Sequence, residues 1–324
     1  GYGTSEKNYW SVLHKVGDTD IHDESNHSPY NDNTINIASG KICGVWTAIE
    51  YPEVVTLYSY NTGDWGVSTT WTLISTGSVY ENPTGRVPGP KTDVIILQGH
   101  EISTGELTGI SARSVLLKTE SSKLNIEKKC ASDEIEINDL SGVGVLRIEG
   151  RGDFPSGILH PNKFMAADGG TTEFYGTPAT NPFTLLQDEF NNLKINFATS
   201  GIVMQLPGNG AHQLNINGKL TIENGILEFT KNGQIINVNK GIDIESNGVI
   251  RIHNDVKGGN KNTFVTLQVG GDLINNGNLI LTRRGNAAFT AAESRKDEAN
   301  YGRGILHFTG AANARFECLN TTQI

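Results

Sequence analysis

Cysteine, methionine, positive charge and long apolar runs are all scarce in this chain. Three cysteines, Cys43, Cys130 and Cys318, lie far apart with no CxxC spacing. That excludes a zinc ribbon and a disulfide framework, and leaves open whether any two of them pair. Lys and Arg number 26 against 35 Asp and Glu, a formal charge of −9. Phosphate backbones are bound by basic surfaces, so nucleic acid is not the expected partner. An acidic surface better suits a bound cation or a neutral glycan. No run of about 18 apolar residues occurs, so no transmembrane helix is expected, and no signal-peptide pattern is present. The nucleophile elbow GxSxG, the zinc motif HExxH, GxGxxG and the P-loop are all missing.

What the chain does have is glycine, asparagine and β-branched residues in short alternating runs. The clearest stretch is Gly218 to Leu281. Leu220 and Ile222 alternate with Thr221 and Glu223, Ile242 and Ile244 with Asp243 and Glu245, and Ile250 and Ile252 with Arg251 and His253. That is the period of a strand with one buried face. The segments GKLTIENGILEF, GIDIESNGVIRI and GDLINNGNLIL resemble one another and begin at Gly218, Gly241 and Gly271. Steps of roughly 20–30 residues around a shared apolar core predict the coils of a solenoid, which bury their faces only by stacking. The Asn-Gly pairs read as turns between separate strands. Asn232, Asn247, Asn275, Asn276 and Asn278 read as turn formers. The fold expected is all-β, a right-handed parallel β-helix with a small irregular N-terminal cap. A two-layer β-sandwich is the rival over residues 1–150.

Two domains are expected, an N-terminal arm or cap over residues 1–60 and the β-helix over 61–324. The chain stops at Thr322-Gln323-Ile324 without a capping pattern. Further repeats or a covering partner are therefore expected beyond it. The arm carries Asp18, Asp20, His22, Asp23, Glu24 and His27. Asp18, Asp20 and Asp23 supply oxygen ligands of the kind calcium takes. The EF-hand spacing is absent, and an ordinary solvated loop fits the same residues. The segment 41–60 reads as two strands broken at Pro52. Its Trp46, Tyr51 and Tyr58 offer a sugar-stacking platform, with aromatic packing inside a cap as the alternative. Residues 154–170 read as a loop out of the solenoid, 181–193 as a helical turn or a strand lead-in, and 287–299 as a helix.

For chemistry, Asp243 and Glu245 share an outward face, and Arg251 and Lys261 follow one coil edge later. A polysaccharide lyase needs a positive group and a base, and an inverting hydrolase needs two carboxylates about 6.5–9.5 Å apart. The plainer account is that outward strand positions are polar. No cofactor is required, and calcium is admitted.

Residues 61–100 carry the most distinctive pattern. Gly63, Asp64 and Trp65 lead to Trp71. A Gly/Pro loop with Pro88 follows, then Asp93-Val94-Ile95-Ile96 and Gly99-His100. Pro88 and Pro90 fix an extended loop, Asp93 is placed to satisfy backbone donors at the strand start, Val94 to Leu97 form a short buried strand, and Gly99 permits a turn. The spacing of Asp64, Trp65, Trp71, Pro88, Asp93 and Gly99 resembles the G8-like opening segment of Bacteroidota secreted and cell-surface β-helix proteins. It departs at Lys91-Thr92, where the pattern more often has Gly just before the Asp, and it shows no C-terminal sorting domain. The resemblance implies a secreted or outer-surface location and export by a type IX-like secretion system. It further implies a non-catalytic adhesin-like role, possible gliding motility included, with envelope or secretion-machinery proteins or surface glycans as partners. The alternative on the same fold is a polysaccharide lyase or glycoside hydrolase.

Overall fold

The computed structural model describes strands 10–15 and 45–50 and, from residue 54 onward, residues 54–105, 107, 109–127, 135–150, 154, 157–159, 162–208, 210–253, 264–281, 304–310 and 314–318. The chain divides into two compact units, Gly1–Val55 and Thr56–Ile324. In the first, Trp10–Lys15 pairs antiparallel with Val45–Glu50, Trp10 opposite Glu50 and Lys15 opposite Val45.

The second unit is a parallel β-solenoid. Its central face is a ladder of successive coils: Gly63–Asp64, Glu101–Ser103, Lys123–Ile126, Val145–Glu149, Thr171–Gly176, Asn192–Phe197, Lys219–Phe229, Gly241–Ile252, Asp272–Asn275 and Phe316–Cys318. A flanking face precedes it in each coil. Thr92–Ile96, Ser114–Leu117 and Leu140–Gly142 stack there early, and Glu189–Phe190, Gln213–Ile216, Ile235–Val238, Val265–Val269 and Gly304–Phe308 stack there later. A third face follows the central one. It holds Ile110–Ala112 and Ile135–Ile137, then Phe183–Thr184, Val203–Gln205, the second halves of the two long strands, and Asn278–Ile280. The parallel ladder already runs through residues 63–149, which overturns the sandwich alternative there. The exception is one antiparallel pair, Val55–Ser59 against Trp71–Thr72.

The in-register stacking explains why period-two sequences give this fold. Each inward residue sits on the inward residue of the coil before, about 4.8 Å away. One column runs Ile102, Leu124, Leu146, Thr172, Leu193, Leu220, Ile242, Leu273, Phe316. Beside it run Ile126, Ile148, Phe174, Ile195, Ile222, Ile244 and Asn275. Their apolar members up to Leu273 are buried. Each such side chain contributes about 1.5–3 kcal/mol of apolar transfer. Asn275 is therefore a stacked core residue rather than a turn former, since it lies inside Asp272–Asn275 with little exposure.

Two other expectations change. The Asn-Gly pairs at Asn224-Gly225 and Asn247-Gly248 do not separate strands. Lys219–Phe229 and Gly241–Ile252 each run unbroken around a corner from the central face to the third, with a register shift between Ile222 and Asn224. A Cβ on Gly248 would lie 2.2 Å from the Ile222 carbonyl oxygen of the coil before. Coils stack so closely at this corner that only hydrogen fits. The three glycines that open the repeats are also not equivalent, because Gly241 pairs with Lys219 and Asp272. Within 154–170, the loop holds one helical turn, Asn162–Met165, packed on Leu140–Gly142 and Thr171–Gly176. Its Phe164 is fully buried, so the excursion fills the core. Residues 181–193 form two short strands, Phe183–Thr184 and Glu189–Phe190, rather than a helical turn. The helix expected over 287–299 lies outside the described residues.

Candidate functional site

The residues singled out for catalysis fall on different faces. Asp243 points outward from the central face and forms an ion pair with Lys219 one coil earlier. Glu245 is exposed where the strand bends toward the corner. Arg251 lies past that corner on the third face, where its Nε is 2.6 Å from Glu228 Oε1. Glu228 is only 1% exposed and also accepts from Gln205 Nε2 at 2.6 Å. The outward row Gln205, Glu228, Arg251 is thus a closed set of partners across three coils. Lys261 lies outside the described residues, as do Asp18, Asp20, Asp23 and Tyr51. Trp46 lies in strand Val45–Glu50 of the first unit. Tyr58 is half-buried opposite Thr72 in the second unit. Among the described residues no group of three or more His, Cys, Asp or Glu side chains is placed to hold a metal.

The Gly-Asp-Trp segment works as the start of the stack. Gly63 and Asp64 pair with Ile102 and Ser103, and the Trp65 amide donates to the Ser103 carbonyl at 2.8 Å. Trp71 Nε1 donates to the Trp65 carbonyl at 2.8 Å, and the two buried indoles meet edge to face with centroids 5.5 Å apart. Pro88 is buried, and Gly99 adopts a positive φ of 75°. Among the described residues Asp93 meets side-chain donors and no backbone donor, contrary to expectation. In parallel register it sits directly across from Ser114, so its carboxylate takes Ser114 Oγ at 2.5 Å and the Arg113 guanidinium. Burial raises its pKa, but those bonds outweigh it and hold the carboxyl below the ordinary range.

Register creates two outward tracts that residue-by-residue reading missed. The first is a charged network on the central face. Arg147 Nε lies 3.2 Å from Glu173 Oε2, its NH1 lies 3.2 Å from Glu101 Oε1, and its guanidinium carbon stands 4.1 Å over the Tyr175 ring. Glu173, 5% exposed, also accepts from Asn196 Nδ2 at 3.0 Å. The Glu101 carboxyl is held low by its bond from Asn125, with Lys123 and Arg147 adding to it against burial. Beside this network Glu127 and Glu149 occupy neighbouring coils next to Tyr175. Glu127 is pushed up by burial and by Glu149, although Ser103 Oγ donates to it at 2.9 Å. The Tyr175 hydroxyl is pushed up by burial and by both carboxylates, with Arg147 opposing.

The second tract is built mostly of side-chain amides, with Glu189 at one end. On the flanking face the outward row runs Glu189, Asn215, Asn237, Gln268, His307, one residue per coil. Asn215 Oδ1 accepts from both Gln213 Nε2 at 2.7 Å and Asn237 Nδ2 at 2.9 Å. Asn217 Nδ2 donates to Glu189 Oε1 at 3.2 Å. Glu189, Asn215, Asn217, Asn237, Asn239 and Gln268 line a groove of about 350 Å³ that continues to Thr309. Side-chain amides carry both donors and an acceptor, and here they recur once per coil along the axis. A signal was available in the sequence, because Asn215, Asn237 and Gln268 hold the same outward position in QLNI, IINV and TLQV.

Fold and site together define a β-solenoid that carries a charged central face and an amide-lined groove. No protein-family model, no curated protein and no solved structure matches the chain. Among the described residues, no helix is long and apolar enough to cross a membrane.

Proposed function

We propose that the protein is a non-catalytic, adhesin-like scaffold of a bacterial surface, secreted or held at the outer face of the envelope, that binds glycans or envelope partners along its solenoid. Export through a type IX-like system belongs to the same proposal and rests on the Gly63–Gly99 pattern. The observation that carries the reading is the amide groove of Asn215, Asn237 and Gln268. The fate of the outward charges supports it too. Asp243 and Arg251 are engaged with Lys219 and Glu228 of the coil before. A catalytic carboxylate needs access to its substrate.

A lyase or hydrolase is the second reading, favoured by one cluster. Glu127, Glu149, Tyr175 and Arg147 bring a carboxyl pushed up by burial, a phenol and a guanidinium within reach of one another. The test is the purified chain, with and without calcium, against neutral and acidic polysaccharides, scored for retention and for new chain ends. Retention without new ends is expected. New ends that disappear in Glu127→Gln or Tyr175→Phe overturn the scaffold reading in favour of an enzyme.

A further inference from the structure

The groove on the flanking face restricts its ligand further. We infer that it takes an uncharged, extended polysaccharide lying along the solenoid axis, across the coils, with one outward side chain per coil meeting successive sugars; this rests on the glycan-binding reading above. Three features lead there. The row Glu189, Asn215, Asn237, Gln268, His307 crosses four coil steps in strict parallel register. At about 4.8 Å per step that is roughly 19 Å of regularly spaced hydrogen-bonding groups. An extended pyranose chain repeats over a similar distance, so one sugar falls near each coil.

Next, the lining contains Asn, Gln and Thr side chains with Glu189, and no Lys or Arg. Amides match hydroxyls because each can donate and accept. Glu189 at one end repels uronates and sulfated sugars, and no lining cation offsets it. On the other faces, Arg147 pairs with Glu101 and Glu173, and Arg251 with Glu228.

Finally, the amides are pre-oriented. Asn215 Oδ1 is engaged by two donors, Gln213 and Asn237, which fixes both side-chain amides. Among the described residues, Asn237 Oδ1 faces no donor that would turn this amide the other way. Ordered amides lose little freedom on binding, which favours affinity.

The experiment is calorimetric titration of the whole chain with β-1,4-linked glucose and mannose oligomers and α-1,4-linked galacturonic acid oligomers, each of two to eight sugars. Affinity for a neutral series should rise with length to about four or five sugars, the number of coils in the row, and then level off. The galacturonate series should bind at least tenfold more weakly. Asn237→Ala and Gln268→Ala should each weaken binding about three- to tenfold with the thermal midpoint little changed, while Asp243→Ala on the central face leaves binding intact. Tighter binding of galacturonate than of the neutral oligomers, or binding independent of length, overturns the inference. Binding that survives Asn237→Ala and Gln268→Ala together overturns it as well and leaves the scaffold reading standing. No binding to any oligomer or polysaccharide takes down both this inference and the glycan-binding half of the scaffold reading, and leaves only envelope partners for it.

Discussion

At the scale of single residues, stacking in register turns chemical identity into electrostatics. An outward side chain has one neighbour above and one below at strand spacing, so unlike charges pair and like charges collide. Most rows alternate sensibly, as Asp93 with Arg113 and Ser114, or Glu228 with Arg251, show. Glu127 beside Glu149 departs from this pattern. Because its folded pKa is raised, the protonated form suits the fold. Its favourable contribution is complete below the ordinary carboxylate range and is lost as pH rises through the folded value. Glu127→Gln keeps a group able to meet Ser103 and Glu149 and removes the charge. The variant should melt at about the same temperature as the parent near pH 4. Near pH 7.5 it should melt about 1–2 °C higher, a small effect because the site is largely solvent-screened. A difference independent of pH, or a variant less stable at pH 7.5, contradicts this account.

At the scale of elements, the corner decides the coil. Gly248 sits where the Gly241–Ile252 strand turns onto the third face, and its added Cβ would meet the Ile222 backbone at 2.2 Å. Gly201, by contrast, has nothing within 4 Å of an added Cβ. Gly248→Ala should cost about 1–3 kcal/mol in chemical denaturation, and Gly201→Ala should stay within about 0.5 kcal/mol of the parent. Equal effects at the two positions would mean that close backbone approach does not set the corner. The same corner shows what could be read in the sequence. Leu220, Ile222, Ile242, Ile244, Ile250 and Ile252 are all buried as their alternation predicts. Asn-Gly inside an alternating run looks the same whether it closes a hairpin or bends one strand between faces, so the corners were misread as breaks. The opening Gly-Asp-Trp pattern identified a structured start, but its physical basis, Trp71 Nε1 on the Trp65 carbonyl, depends on a fold-specific approach. The amide row was hidden for another reason. Asn215 to Asn237 and Asn237 to Gln268 are unequal steps in the chain, because the later coil carries residues 254–263 between its strands. Only pairing aligns them.

At the scale of the whole molecule, a solenoid is close to a sum of coils, each contacting its two neighbours. Residues 219–240 make one complete coil, since Lys219 pairs with Gly241 and the segment ends after Ile235–Val238. Removing it should bring Leu193 onto Ile242, Ile195 onto Ile244 and Ile216 onto Val269, apolar on apolar throughout, by the existing register. The shortened protein should stay folded, with a β-type circular dichroism spectrum and a lower denaturation midpoint. It also loses Asn237 from the groove, so any neutral-glycan affinity should fall and level off one sugar earlier. Removing only 219–229 takes the central and third-face strands but leaves the flanking strand Ile235–Val238 behind, which throws the next coil out of step. That variant should aggregate or unfold. If both deletions fail alike, the coils are not interchangeable units and the molecule folds as one long-range cooperative whole. If both fold alike, register is not what holds the core, and the row of amides that depends on it loses its physical basis too.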